Sequence, residues 1–355
     1  MTITEIIVPA QDVAWLPWAV QYFFFIGLST AAALLASAGE AGGPLRRLQP
    51  AAVLVAVSAG VVAPVALLAD LHQPGRFWHF YAHFTPWSWM SIGSLLLPAY
   101  VAVLLAYAAA WQHWHGGAGR RRAVLALAVA LVVLALAVLV YTGAEVMVVR
   151  ARLLWHTYWL PLNFALTALV GAVGAVLFTL RWSGVACADD YRLANRVQLA
   201  VLVATAAAAA GWAVTGALGL GAGGGASFAE ALRLAVEQPF WRLMYAGSAA
   251  VGALLIAGTA LALRRPALLA HSWWLSVPAL LCTWSFRWVV FINVQTVPKY
   301  GAGLYPYELP LGSDGLLGIV ATFGLWVAVV IIVSAIAARW PQGPAAAAPR
   351  EVAHG

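Results

Sequence analysis

The sequence predicts an all-α protein, a polytopic bundle of about nine transmembrane helices. Hydrophobic residues make up 64% of its 355 residues and charged residues only 9%, whereas a soluble domain carries about 25% charged residues. The apolar residues form runs of about 20, the length that a helix needs to cross a bilayer. The net charge of +7 comes largely from arginines between these runs, so we expect a lipid bilayer and not a nucleic acid as the surroundings of the chain.

Nine apolar runs follow one another along the chain. The predicted spans are 17–39, 50–70, 88–111, 122–144, 157–181, 196–219, 240–263, 272–293 and 315–338. The sixth run is rich in Ala and Gly, which favours close packing between helices. We predict one bundle over residues 1–339 and a disordered cytoplasmic tail over 340–355, where Pro and Ala favour no packed structure.

The basic residues predict the orientation of the bundle. With nine spans, the first, third, fifth and seventh connections lie on the same side as the C-terminal tail. That side holds twelve arginines and the other side six basic residues, while Arg287 lies inside the eighth span. Since Lys and Arg concentrate in cytoplasmic connections, we predict that the N-terminus faces the periplasm.

Polar and aromatic residues gather in or beside the predicted periplasmic ends of six spans. They are Trp18, Gln21, Tyr22, Asp70, His72, Arg76, Trp78, Tyr141, Glu145, His156, Arg287, Asn293 and Gln295. Ionisable groups at membrane depth are costly and usually functional. Tyr141 and Glu145, one helical turn apart, share one face of their helix.

Each of these residues also has a purely structural interpretation. Tryptophans and tyrosines at span ends form interfacial belts, and arginines near span ends reach for lipid headgroups. Asp70 and Arg76 could pair and fasten a loop. A buried ion pair of Arg287 with Glu145 or with Asp70 could serve packing alone.

The residues do not favour a metal or haem centre. None of the eight histidines lies in the middle of a span, so axial ligands for a transmembrane haem are missing. A site built from Asp70, His79 and His83 would lack the glutamate of a zincin helix. The two cysteines, Cys187 and Cys282, are too few for an iron–sulfur cluster, which takes four thiolates. We therefore predict no metal, haem or iron–sulfur cluster in this chain.

A quinol site fits the gathered residues better. A quinone head group needs an aromatic-lined slot at the membrane interface and hydrogen-bonding groups at its two ring oxygens. Oxidation of a quinol also needs proton acceptors, which histidine and carboxylate side chains supply. Because the chain lacks a redox centre of its own, it would have to pass the electrons to a docked partner.

The sequence also resembles the NrfD/PsrC family of membrane quinone subunits. The segment DLHQPGRFWHF (70–80) is similar to the family signature DLGRP-x-RF, and the block YTG (141–143) with Trp155 is similar to a second family block. The similarity runs from residue 11 to about 335. It is strongest to the branch of the family that serves tetrathionate reduction, in the segments 11–27, 69–90, 295–315 and 322–326.

This resemblance implies a three-part complex in the bacterial inner membrane. The membrane subunit would oxidise menaquinol at its periplasmic end, and a ferredoxin-like subunit with four-iron clusters would relay the electrons. A molybdopterin catalytic subunit would then reduce tetrathionate to thiosulfate. The family places a tyrosine of span four and polar residues of span one near the quinone, which correspond here to Tyr141 and to Gln21 or Tyr22. Some relatives carry a histidine on span one where this sequence has Tyr22.

From the residues and the resemblance we expect definite roles at the site. Tyr141, with Tyr22 or Gln21, would contact the quinone oxygens. The catalytic residues would be Tyr141, Glu145, His72, Asp70 and Arg287. Of these, His72 and Glu145 would accept or relay protons, and Asp70 with Arg76 would fix the loop. The remaining gathered residues would line the pocket. Because the site and the terminal chemistry both face outward, we expect no charge separation. The alternatives are a family member that serves polysulfide, arsenate or sulfite chemistry, a secondary transporter, and a passive anchor.

Overall fold

Long helices make up most of the chain. The computed structural model describes residues 13–113, 118–220, 224–297 and 307–339, and within these ranges nine helical segments are long and apolar enough to cross a membrane. Their α-helices are α1 (Pro17–Glu40), α2 (Gln49–Asp70), α3 (Trp89–His113), α4 (Ala118–Met147), α5 (Trp159–Ser183), α6 (Ala188–Ala217), α7 (Pro239–Arg264), α8 (Ser276–Phe291) and α9 (Leu316–Arg339). The eighth segment reaches its length, Ser272–Thr296, with the 3₁₀ turns on both sides of α8. The all-α prediction is confirmed, and the part of the chain that the structure describes holds no strand.

The shorter helices lie between these spans. They are the 3₁₀ turns Pro44–Arg47, Pro74–Arg76, Ser272–Leu275 and Asn293–Thr296, the single turns His79–Ala82 and Pro266–Leu269, and the helix Gly224–Glu237. The helix Gly224–Glu237 is not among the predicted elements, because its mixture of apolar and charged residues falls outside an apolar run. The predicted tail over 340–355 lies outside the described residues.

The predicted spans agree with the helices to within about one helical turn, except at the start of α6. This helix begins at Ala188 and not at residue 196, because hydropathy does not mark the roughly two helical turns that extend beyond the apolar run. A capping box starts the helix: the backbone N–H of Cys187 donates to a carboxylate oxygen of Asp190 at 2.9 Å. Such reciprocal caps stabilise a helix start without any apolar residue.

The first helix is the centre of the bundle. α1 packs against α2, α4, α5, α8 and α9, so it is buried on nearly every side. Its Phe23 ring stacks on Phe291 of α8 with ring centres 4.2 Å apart, and its Phe25 meets the Trp326 ring of α9 at 5.5 Å. In contrast, α6, α7 and α9 show most of their surface to the outside.

The connections define two ends of the bundle, which we name by their content. Of the described residues between the long helices, the loop end carries 71–88, 148–158, 218–220, 224–238, 292–297 and 307–315, and the arginine end carries 41–48, 184–187 and 265–271. At the arginine end, Arg47 bridges the α1–α2 connection to α6 through Asp190 at 2.9 Å and Asp189 at 3.5 Å. Although burial opposes the charged guanidinium, these carboxylates and Cys187 hold the pKa of Arg47 above its ordinary value.

Candidate functional site

A buried polar cluster lies between α1 and α4 near the loop end. It consists of Tyr22, Tyr141 and Glu145, which are 1%, 5% and 8% exposed. Tyr141 interacts with both Tyr22 and Glu145, although no hydrogen bond of ordinary geometry satisfies the Tyr22 hydroxyl or Glu145 Oε2 within the described ranges. Tyr141 and Glu145 share one face of α4 as their spacing predicts. The structure therefore brings together two helices that the sequence could only assign to the same end.

Several polar atoms of this region have no hydrogen-bond partner among the described residues. They are the hydroxyl of Tyr22, Oε2 of Glu145 and both amide atoms of Gln21, the residue before Tyr22. Gln21 is completely buried. Buried polar atoms without partners cost about 1–3 kcal/mol each, and inside a membrane no bulk water can satisfy them. These atoms are therefore free to bind a ligand that both accepts and donates hydrogen bonds.

A glycine of α3 sets the position of Tyr141. A Cβ atom added at Gly93 would collide with the Tyr141 ring, so the ring lies directly against the α3 backbone. Only glycine leaves that space, and the hydroxyl of Tyr141 is fixed beside Tyr22 and Glu145 as a result. Nothing in the sequence marks Gly93 as different from other glycines in apolar runs, so Gly93 is not among the predicted site residues.

Asp70 and His72 extend this cluster toward the membrane surface. Asp70 ends α2 and accepts a hydrogen bond from the backbone N–H of Leu16 at 3.2 Å. It lies within electrostatic reach of His72 and Glu145. The predicted pairing of Asp70 with Arg76 does not form in the described residues, because the Asp70 carboxylate faces the start of α1.

Arg76 and Trp78 lie apart from the buried cluster. Both are exposed, and Arg76 lines an open cavity of about 430 Å³ together with His72, His79 and His83. The Trp78 ring meets the His79 ring edge-on at 4.1 Å. His72 lies between the two regions, because it lines this cavity and is also within electrostatic reach of Asp70.

Arg287 binds neutral oxygens and, within the described ranges, no carboxylate. Its guanidinium donates to Oγ1 of Thr167 at 2.6 Å, to the carbonyl of Phe164 at 2.9 Å and to the carbonyl of Thr283 at 3.2 Å. The Phe164 ring lies 5.2 Å from the guanidinium carbon. The ion pair with Glu145 or Asp70 that the sequence suggested is therefore wrong. We name this group the Arg287 clamp; it fastens α8 to α5.

Gln295 holds the start of the described chain to α8. Its side-chain oxygen accepts the backbone N–H groups of Ala14 at 2.8 Å and Trp15 at 3.1 Å, and its amide nitrogen donates to the carbonyls of Trp15 and Phe291. All the polar capacity of this side chain is used within the protein. Gln295 therefore has no unused hydrogen-bonding atom to offer a ligand, and its predicted role in lining the pocket stays a prediction.

His156 and Asn293 also make contacts within the protein. His156 Nδ1 lies 2.9 Å from the carbonyl of Met147 at the end of α4, and the amide nitrogen of Asn293 donates to Sδ of Met244 at 3.1 Å. The Trp18 indole lies against Gly318 of α9. These contacts join helices at the loop end, so the predicted lining role of the three residues rests on location alone.

Arg152 and Trp155 complete the contacts at the loop end. Arg152 donates to the carbonyls of Val294, Gln295 and Val297 at 2.9 to 3.3 Å, and Trp155 Nε1 donates to the carbonyl of Val290 at 2.8 Å. Burial lowers the pKa of Arg152. No sequence pattern indicates these bonds, because their acceptors are backbone carbonyls about 140 residues away.

The described residues offer no evident metal site. They contain no group of three or more His, Cys, Asp or Glu side chains arranged to hold an ion. The His79 and His83 rings lie 5.7 Å apart, and Asp70 is turned toward α1.

Comparison with known proteins identifies the family. The family model described as "Polysulphide reductase, NrfD" matches residues 7–299. The chain belongs to the NrfD family. It is also similar to a subunit of the tetrathionate reductase of Salmonella typhimurium, with 36% identity over 340 residues that cover 94% of this chain and 95% of that protein. Both matches confirm the resemblance seen in the 70–80 and 141–143 segments.

Proposed function

We propose that this chain is the quinol-oxidising membrane subunit of an anaerobic respiratory reductase, and that this reductase acts on tetrathionate. The observation that carries the proposal is the set of buried polar atoms on Gln21, Tyr22 and Glu145 that have no partner among the described residues. Their donors and acceptors match the two oxygens of a quinone head group. The similarity to the Salmonella tetrathionate reductase subunit supports the choice of substrate for the whole complex.

The buried cluster can bind the head group and take up its protons. When bound, a menaquinol supplies two electrons and two protons. The hydroxyl of Tyr141, with that of Tyr22 or the amide of Gln21, would hold the ring oxygens in place. Glu145 would accept a proton because its Oε2 has no partner in the part of the chain that the structure describes, and Asp70 and His72 would pass it to the surface.

The electrons must leave to another subunit. The sequence contains two cysteines, fewer than a four-iron cluster requires. We propose a ferredoxin-like iron–sulfur subunit docked at the loop end and a molybdopterin catalytic subunit beyond it. The loop end would face the periplasm of the bacterial inner membrane, as the arginines of the opposite end favour.

Two conservative substitutions test the site. In membranes that hold the assembled complex, we expect Tyr141→Phe and Glu145→Gln to lower quinol-dependent turnover by about 100-fold. The controls are Tyr158→Phe and Glu237→Gln, at exposed positions of the same end, and they should turn over normally. Full turnover by both site variants would contradict the proposal.

Quinone binding separates this function from its rivals. We expect the purified chain to bind a menaquinone analogue, with weaker binding after Tyr141→Phe. A passive anchor would show no binding, and a transporter would accumulate substrate in vesicles without any partner.

A further inference from the structure

A second group of buried polar side chains with unused hydrogen-bonding capacity lies at the arginine end, far from the quinol cluster. Its members are Asn195 and Gln198 of α6, Thr259 of α7 and Ser276 of α8, each at most 1% exposed. Oδ1 of Asn195, both amide atoms of Gln198 and the hydroxyls of Thr259 and Ser276 find no hydrogen-bond partner within the described ranges.

Contacts between the helices place these side chains at one level. The amide nitrogen of Asn195 donates to Oγ of Ser272 at 2.7 Å. One helical turn deeper, Gln198 follows Asn195 and Ser276 follows Ser272. On α7, a Cβ at Gly258 would lie 3.0 Å from the side chain of Leu275, which brings the neighbouring Thr259 to the same level.

An apolar floor closes this space toward the membrane centre. Val170, Leu202, Leu255, Leu275 and Ala279 form a buried apolar cluster, in which Leu275 lies beside Ser276. Of these, Leu202, Leu255 and Ala279 lie about one turn deeper than Gln198, Thr259 and Ser276 on their own helices. The polar space therefore ends at this floor and does not continue to the loop end.

An open cavity lies on the other side of the same space. It has a volume of about 450 Å³, and Arg181, Tyr191, His271 and Trp273 line it. The backbone carbonyl of Tyr191 accepts a hydrogen bond from Asn195 at 2.8 Å. The polar side chains with unused capacity therefore begin one helical turn beneath the cavity.

We propose that the space between Asn195, Gln198, Thr259 and Ser276 is a binding chamber for a small cluster of water molecules. The four side chains are neutral, and their amide and hydroxyl groups both donate and accept hydrogen bonds. They therefore favour a small neutral ligand that also both donates and accepts hydrogen bonds. Buried water typically makes about three hydrogen bonds to polar groups that otherwise lack partners. The cavity at the arginine end supplies this water, and the apolar floor stops it.

The bound water joins α7 to the rest of the bundle. α7 shows most of its surface to the outside, and its buried side chains include Trp241, Leu255 and Thr259. Water that bridges Thr259 to Gln198 and Ser276 adds polar contacts to this small interface. The inference does not depend on the proposed quinol chemistry.

Radiolytic footprinting of the full-length chain in native membranes tests the chamber. A short X-ray pulse makes hydroxyl radicals from bound water, and these label the nearest side chains. We expect Leu202, Leu255 and Leu275 to be labelled at least about 5-fold more than Leu131, because water bound in polar cavities stays beside them. Leu131 is as deeply buried, at 0% exposed, among apolar neighbours of α4. Equal labelling of all four leucines would overturn the proposal.

A set of substitutions provides the second measurement. Gln198→Leu combined with Thr259→Val removes the hydrogen-bonding groups, so labelling of Leu202 and Leu255 should fall to that of Leu131. The control is Thr205→Val on the same helix, whose hydroxyl already bonds the carbonyl of Val201 at 2.8 Å, and its labelling should stay unchanged. Undiminished labelling in the double variant would also refute the chamber. If that variant does not assemble, the comparison of leucines in the unmodified chain decides alone.

Discussion

The Arg287 clamp and the Tyr22–Tyr141–Glu145 cluster both bury polar groups within the membrane-spanning helices, on different faces of α1. The clamp bonds its two terminal nitrogens to three neutral oxygens of α5 and α8, and only its Nε finds no partner among the described residues. The cluster leaves the hydroxyl of Tyr22 and Oε2 of Glu145 without partners in the same ranges. The bonds of the clamp stabilise the fold, whereas the unpartnered atoms of the cluster are available to a ligand. The contrast teaches that burial and charge alone do not reveal a site; the unused hydrogen-bonding capacity does.

The largest expected effect is on the clamp. Arg287→Ala should lower the free energy of unfolding by about 3 kcal/mol, because it opens a cavity between α5 and α8 and removes three hydrogen bonds. Thermal denaturation of the purified chain, followed by size-exclusion chromatography, measures the loss. The control is Arg242→Ala, an exposed arginine at the loop end. An unfolding profile like that of the unmodified chain would show that the clamp contributes nothing.

A smaller effect is expected at the glycine beside Tyr141. Gly93→Ala should displace the Tyr141 ring and lower quinol turnover by about 10-fold, since small misplacements of a positioning group are costly. Gly247→Ala is the matched control, because a Cβ added there meets no described atom within 4 Å. In a Tyr141→Ala background the Gly93 substitution should have no further effect. Additive losses would mean that Gly93 acts on something other than Tyr141.

Tyr22→Phe should separate stability from function. Because the hydroxyl of Tyr22 has no partner within the described part of the chain, its removal should leave the free energy of unfolding unchanged or raise it by less than about 1 kcal/mol. Quinol affinity should fall in the same variant, seen as a higher KM. A clear loss of stability would show that the hydroxyl of Tyr22 bonds within the protein, as the terminal nitrogens of Arg287 do, and is not available to a ligand.

The smallest effect is expected at the arginine end. Arg47→Gln removes ion pairs to Asp189 and Asp190 on a half-exposed side chain, and such pairs contribute about 0.5 kcal/mol. The difference from the unmodified chain should shrink in high salt. Arg46→Gln, at an exposed neighbouring position, serves as the control. A loss that salt does not reduce would indicate a contact other than these ion pairs.

The membrane spans could be predicted from the sequence, but most hydrogen-bond partners of the buried polar side chains could not. Hydrophobic runs of the right length predicted the long helices, and the spacing of Tyr141 and Glu145 predicted a shared face of α4. The partners of Arg287 and Gln295 escaped prediction because they are chiefly backbone carbonyls and N–H groups, which nearly every residue carries. A buried arginine predicts a carboxylate partner, but the guanidinium of Arg287 donates to oxygens of Phe164, Thr167 and Thr283.

The central place of α1 has a consequence for how the protein is made. α1 leaves the ribosome before the other long helices described here, yet the hydrogen bond between Gln295 and Trp15 joins residues 280 positions apart. The buried Phe23 likewise gains its stacking partner Phe291 only after α8 has been made. During synthesis α1 must therefore sit in the bilayer without these two contacts until α8 and the turn after it have been made. α1, which is inserted early, is thus among the last helices to reach its final surroundings.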